Sequence, residues 1–326
     1  MKLREKSKSS TDHPAKKKNA LKSIYNRRFI VRGQKYSVGE TAAAYTLLVP
    51  SLITIIVLFL LPLIMLIVLS FTDYRLSTGM MKFNGLENYI YLFTSDKFGK
   101  AMLNTVVYAV VKLTLDLVLA LGIALLLDSN VMFRSALRTI YFSPVVVPVV
   151  ACSLIWLWFY DPGIGPLNQI LGWFGIDPLK WLYSEKTAML SIILFSVWHG
   201  LGYNVVLLLS GLQGISGEYL EAAKLDGATE WDITHTIKIP LLKPIINFVL
   251  MMGIINAFKA FSEVNVMTPD GGPGYSTAMA VNYIYEQAFT NGRMGRGAAA
   301  SIILFAVIFI LTMVKNRMGS SKNIDA

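Results

Sequence analysis

The chain has 326 residues, 54% of them hydrophobic and only 15% charged, with a mean hydropathy of +0.54. Its apolar residues come in runs of membrane-spanning length, which excludes a single soluble core. The net charge of +10 does not indicate nucleic acid, because twelve of the thirty Lys and Arg lie in residues 1–41. A basic tail of that kind suits the cytosolic flank of a membrane protein beside anionic lipid. Cys152, the single cysteine, lies within an apolar run, so no intrachain disulfide or cysteine-based metal site is available and a packing role is expected.

In chain order, the tail is followed by six runs long enough to cross the hydrocarbon, which needs about 20 apolar residues per helix. They are predicted at Ala42–Ser70, Thr105–Leu127, Thr139–Tyr160, Ala188–Leu209, Leu241–Phe261 and Gly297–Val314. The first begins some forty residues in, is longer than the apolar region of a signal peptide and has no cleavage site after it, so it is expected to stay in the membrane. Pro50 and Pro62 in the first run, and Pro144 and Pro148 in the third, remove backbone donors and predict kinks. The expected organisation is a basic tail over 1–41, a six-helix membrane domain over 42–316 and a short tail over 317–326.

Basic residues orient the chain. With a cytosolic amino terminus, twenty Lys and Arg fall on the inner side and eight on the outer side, so both termini are expected inside. The stretch between the fourth and fifth runs, about 216–240, then faces the cytosol. It is polar and carries the code of two short helices: Ser216 as a cap, Glu218 in the first turn with Glu221 just beyond, and Gly227 as a left-handed stop. Thr229 with Asp232 three residues on has the spacing of a second cap, and Pro240 is expected to bound that helix. Leu220, Ala223, Trp231 and Ile237 are available to pack the resulting knob.

Glu221-Ala222-Ala223, then Asp226-Gly227-Ala228, then Ile237 and Pro240, carry a resemblance. The pattern is similar to the "EAA" signature of ATP-binding-cassette importer permeases, departing at Ile239 where Leu is usual. From about Ala43 onward the chain resembles the sugar-permease branch related to the maltose transporter, in "SFTDYRLS", "GLENYIYLF", "MLNTVVYAVVKLTLDLVLALGIALLL" and "MTPDGGPGYST". The resemblance implies an all-α membrane protein with the type I importer permease fold and a cytosolic coupling helix. It implies that Glu221, Ala222, Ala223, Asp226 and Gly227 dock a nucleotide-binding subunit. Glu221 would make a charged contact and Gly227 a tight turn. The local alternative is that Glu221 and Gly227 merely favour and end their own helix.

No phosphate loop of the form G-x-x-x-x-G-K-[ST] occurs, and Gly271-Gly272-Pro273-Gly274 lacks the lysine that would make one. No cofactor is therefore expected on this chain; ATP and magnesium would be held by partner ATPases. The glycine-rich stretch reads as a tight outer turn near a docked binding protein. For the solute path, Ser196, His199, Gly200 and Tyr203 share helical spacing on one face of the fourth run. The resemblance implies that Gly200 and Tyr203 line the path, with Asn256 in the fifth run and Lys259 at another lining position where the residue differs from the family's. Tyr and Asn suit sugar hydroxyls. His199 and Asn256 could equally bond neighbouring helices, and Lys259 could reach the outer interface. Lys112 and Asp116, four residues apart in the second run, are expected to form an internal ion pair.

The sequence thus predicts one of two transmembrane subunits of an ATP-driven sugar or oligosaccharide importer in a bacterial or archaeal cytoplasmic membrane, itself not an enzyme. Its implied partners are a second, non-identical permease, two ATPase subunits, an extracytoplasmic solute-binding protein and lipid, with no nucleic acid. An acidic sugar or glycerol phosphate is the alternative solute. A proton-coupled carrier is the distant alternative, and the three dispersed histidines give no catalytic or metal cluster.

Overall fold

The computed structural model describes residues 28–31, 34–129 and 134–320. The chain divides into two units, residues 1–65 and 66–326. Residues 1–27 of the basic tail, the connection at 130–133 and the terminal 321–326 lie outside the described residues.

In the first unit, β1 (Arg28–Val31) pairs antiparallel with β2 (Gln34–Ser37), Arg28 opposite Ser37. The sequence gives no apolar alternation there, and the hairpin was not expected within the tail. Ser37 caps helix α1 (Val38–Ser70), whose Glu40 completes a reciprocal capping box. This helix therefore starts four residues before the expected Ala42. Pro62 does not break it: a single π turn over Ile56–Leu60 widens the backbone just ahead, with Leu61 N–H reaching the Ile56 carbonyl.

The second unit is built around α3 (Asp96–Asp128), a 33-residue helix preceded by the short α2 (Glu87–Thr94). At 1.5 Å per residue α3 runs for about 50 Å, longer than the hydrocarbon requires. Its buried positions include Ala101, Thr105, Tyr108, Ala109, Asp116, Ala120, Ala124 and Leu127, a stripe of mostly three- and four-residue steps. Small side chains on that stripe let α7 (Ala188–Gln213) approach closely. Toward the C-terminal end of α3, Ala120, Ala124 and Leu127 pack with Val205, Leu208, Leu209 and Leu212. A second core gathers Tyr108, Cys152, Tyr160, Ile192, Phe195, Val264 and Met279. Cys152 is buried there as a packing residue.

The third run is not one straight crossing. Helix α4 (Arg134–Val146) and helix α5 (Val149–Phe159) meet at Val147-Pro148, where the axis turns by 108°. Pro148 has no N–H to continue the ladder, which explains where the break falls. Gly202 of α7 packs against the Tyr141 carbonyl so tightly that a Cβ would overlap it. Backbone-to-backbone contact of this kind holds α4 on α7.

After α6 (Pro166–Trp173) and α7 come the two knob helices, α8 (Gly217–Leu225) and α9 (Glu230–Leu241). Pro240 does not end α9 as expected. A π turn over Thr234–Lys238 again precedes the proline, with Ile239 N–H on the Thr234 carbonyl, and the chain bends by 62° only at Leu242. Helix α10 (Lys243–Phe258) follows, then α11 (Ser262–Met267), α12 (Ala280–Tyr285) and α13 (Met294–Ser320). The last helix runs beyond the boundary predicted at residue 317. Four helices can cross a membrane singly and the two bent pairs bring the possible spans to six, among the described residues.

Candidate functional site

Two places carry the chemistry anticipated from the sequence: the knob over 216–240 and the polar middle of α3, α7 and α10. In the knob, the Ser216 hydroxyl accepts from Glu218 N–H and opens α8. Gly227 adopts φ +82°, and Ala228 N–H reaches back to the Ala223 carbonyl, closing the helix in the left-handed form that glycine adopts without strain. Thr229 and Asp232 form a reciprocal capping box for α9. Lys224 bonds Glu230 across the turn at 2.9 Å, and that carboxylate holds the ammonium above its ordinary value.

Glu221, Ala222, Asp226 and Gly227 are exposed, and Ala223 is half-buried. Trp231 is not packed inward as expected: it is 71% exposed and lies against His235, with ring centroids 3.8 Å apart. Tyr219 (61%) and Leu225 (89%) are also exposed. The residue that anchors the knob is Ile233, 1% exposed. Such large apolar side chains around a charged, rigid turn form the kind of patch that partner proteins cover. Sequence reading missed Tyr219 and Leu225; the signal was their lack of any buried counterpart in the helical pattern.

In the membrane region, Lys112 and Asp116 form the expected ion pair, with side chains 17% and 5% exposed. Gly200 of α7 faces it, since a Cβ there would lie 3.7 Å from Lys112 Nζ. One turn away Tyr108 Oη donates to Glu263 at 3.4 Å. His199, by contrast, turns to the broken third span, its Nε2 3.0 Å from the Val147 carbonyl. That carbonyl lies at the helix break, and the imidazole supplies a partner lipid could not. Ser196 is buried. Tyr203 is 44% exposed, and Asn256 and Lys259 are also exposed. The single face expected on α7 therefore divides: Ser196 inward, His199 to the break, Gly200 to the ion pair, Tyr203 outward from the packed core. Lys259 ends α10, and neither it nor the side chains of Tyr203 and Asn256 forms an ion pair or hydrogen bond among the described residues.

Residues 268–280 form the tight turn expected from "GGPG". Asp270, Gly271, Gly272, Gly274 and Tyr275 all have positive φ, and Thr277 ties the turn together through Thr268 and the Gly271 carbonyl.

Residues 116–319 match the family model described as binding-protein-dependent transport system inner membrane component. The chain belongs to that family. It is 32% identical over 285 residues to the arabinooligosaccharides transport system permease protein AraP of Bacillus subtilis, covering 87% of this chain and 90% of that protein. It is 30% identical to the trehalose/maltose transport system permease protein MalF of Thermococcus litoralis, covering 87% and 96%. One chain of a crystal structure of a bacterial transporter importing the acidic polysaccharide alginate superposes with a TM-score of 0.78 at 22% identity, over 88% of this chain and 98% of that one. The fold is thus that of an ATP-binding-cassette importer permease, and the protein is a membrane-embedded transport component rather than an enzyme. A proton-coupled carrier is replaced by this assignment.

Proposed function

We propose that this permease, with a second non-identical permease, encloses an alternating-access pathway for a neutral sugar or oligosaccharide delivered by an extracytoplasmic binding protein. The knob over 216–240 docks a nucleotide-binding ATPase subunit, two of which hold the ATP and magnesium; this chain holds neither. The membrane is a prokaryotic cytoplasmic membrane, with both termini and the knob inside. The observation that carries the reading is the knob itself: a doubly capped, rigid pair of helices that leaves Tyr219, Leu225 and Trp231 uncovered beside Glu221 and Gly227. A rigid element transmits displacement between subunits, where an unstructured loop would absorb it.

The solute class is supported by relatives whose names specify arabino-oligosaccharides, trehalose/maltose and diacetylchitobiose. It is supported physically by the pairing of Lys112 with Asp116, which offsets both of those charges beside Gly200. Tyr203 offers an aromatic face and a hydroxyl, and Asn256 a donor and an acceptor, to sugar hydroxyls. Gly200 and Lys259 line the same path, and His199 borders it while bonded to Val147. An acidic solute is the second reading, favoured by Lys259, whose ammonium makes no ion pair among the described residues. Lys259→Gln separates the two, because removing a cation penalises a carboxylate-bearing solute far more than a neutral one.

The test is co-purification of the ATPase with membrane-inserted variants. Glu221→Lys and Gly227→Pro are expected to insert normally yet lose the ATPase, since one reverses the docking charge and the other cannot adopt φ +82°. Normal ATPase recovery with both would remove the docking assignment. Orientation is read in a Cys152→Ala background, where a cysteine at Glu218 should react only from the cytosol and one at Asn291 only from outside. The reverse labelling would overturn the topology.

A further inference from the structure

Helix α3 is fastened at both ends to loops far away in sequence. At its outer end Lys100 Nζ donates to the Gly274 carbonyl at 2.6 Å, Asn104 Nδ2 donates to the Tyr275 and Ala278 carbonyls, and the Thr105 hydroxyl accepts from Ala280 N–H. At its inner end Lys238 Nζ donates to Asp128 Oδ2 at 2.7 Å, across 110 positions of sequence. Both side chains are largely enclosed, 14% and 16% exposed.

The inner pair is unexpected on local grounds. Asp128 is the last residue of α3, where the exposed carbonyls already carry the negative end of the helix dipole, so a carboxylate there is unfavourable unless a cation meets it. Lys238 is that cation, and it comes from the π turn of the knob's second helix. The other lysine on the same cavity, Lys224, is already paired with Glu230. The cavity encloses about 820 Å³ and is walled by Leu125 and Leu126 of α3 and by Leu220 and the anchoring Ile233 of the knob. The knob therefore rests on the last turns of α3 as well as on its own two chain connections.

We propose that Asp128 and Lys238 are a positioning pair that makes the cytosolic knob and α3 one mechanical body. A push on the knob is then delivered along a continuous helix to the Lys112–Asp116 pair opposite Gly200, and onward to the outer turn held by Lys100, Asn104 and Thr105. The proposal rests on the reading of the knob as the ATPase dock. It adds that the force leaves the knob through α3, in parallel with the covalent path into α10. The covalent path bends by 62° at Leu242, a place where displacement can be absorbed. The ion pair bypasses that bend.

The experiment uses the assembled permease–ATPase complex in liposomes, in a Cys152→Ala background with Asn204→Cys as reporter. Asn204 is half-buried on α7, four residues past Gly200, and its side chain has no hydrogen-bond partner among the described residues. The maleimide reaction rate at position 204 is measured with and without MgATP plus vanadate. If wild-type Asp128 and Lys238 show no nucleotide-dependent change, or the ATPase does not assemble, it is the underlying alternating-access reading that fails. Given that change, Asp128→Asn is expected to keep the ATPase bound but shrink the nucleotide-induced change in rate by about tenfold, a coupling loss within the usual range. The exchanged pair Asp128→Lys with Lys238→Asp should restore it. An undiminished response in Asp128→Asn, or no recovery in an exchanged pair that still binds the ATPase, would overturn the proposal.

Discussion

The turn at 268–280 and the knob at 216–240, outer and cytosolic in the proposed orientation, are both compact, polar interruptions of an apolar chain, yet they are finished in opposite ways. The outer turn is completed from within. Thr268, Thr277, Ala278 and Ala280 are buried, and α3 supplies the donors and acceptors its strained backbone needs. The knob satisfies its own helix ends but leaves Tyr219, Leu225 and Trp231 in the open. A loop whose polar groups are met by its own chain is a structural part of that chain; one whose apolar groups are left bare has the surface a docking partner would cover. The same α3 meets both, at Asn104 and at Asp128.

The sharpest way to break the comparison is to unpick the outer turn. Asn104→Leu with Thr105→Val removes the donor to two carbonyls and leaves Ala280 N–H enclosed without an acceptor. Each buried group left unmet costs about 1–3 kcal/mol, so the double variant should lose about 2–5 kcal/mol of stability, less than additive because the two sites adjoin. Thermal unfolding of the purified permease in detergent measures it. An unchanged midpoint would mean that the turn is held by something other than α3.

Trp231→Ala and Leu225→Asp should behave the other way. Neither side chain is buried, so stability should stay within about 0.5 kcal/mol of wild type. Association with the ATPase should weaken by about 2 kcal/mol for the tryptophan, the scale of an interface hot spot, or about 30-fold in dissociation constant. Titration of the ATPase onto the detergent-solubilised permease gives the value. A destabilised fold with normal association would reverse the contrast drawn between the two loops.

What the sequence disclosed about each loop follows from how local its physics is. Ser216, Gly227 and the Thr229–Asp232 box are codes three residues wide, and all three stand in the structure as read. Lys112 with Asp116 is a one-turn pair and was equally legible. Pro148 marked a break, but a 108° turn also depends on Tyr141 meeting Gly202 and on His199 reaching Val147, contacts more than fifty residues apart. Pro240 misled because a π turn accommodates a proline that an α turn would exclude. Trp231 misled because aromatic residues at helical spacing ordinarily pack inward, and nothing local distinguishes a core face from a docking face. The Asp128–Lys238 pair has no local trace at all.

The smallest expected effect separates both loops from the path between them. Tyr203 and Asn256 lie on α7 and α10, away from the outer fastening and from the knob, and their side chains engage no partner among the described residues. If they meet solute, Tyr203→Ala removes a stacking face and Asn256→Ala a paired donor and acceptor, each contributing about 1–2 kcal/mol to solute binding. That is roughly a 5- to 30-fold loss of uptake at limiting solute, recovered as solute concentration rises. The midpoint of unfolding and the affinity for the ATPase should both stay at wild-type values, since neither residue supports the outer turn or the knob. A fall in unfolding midpoint would instead make them interhelical packing groups, and uptake equal to wild type at limiting solute and matched membrane levels would place the pathway on another face of the bundle.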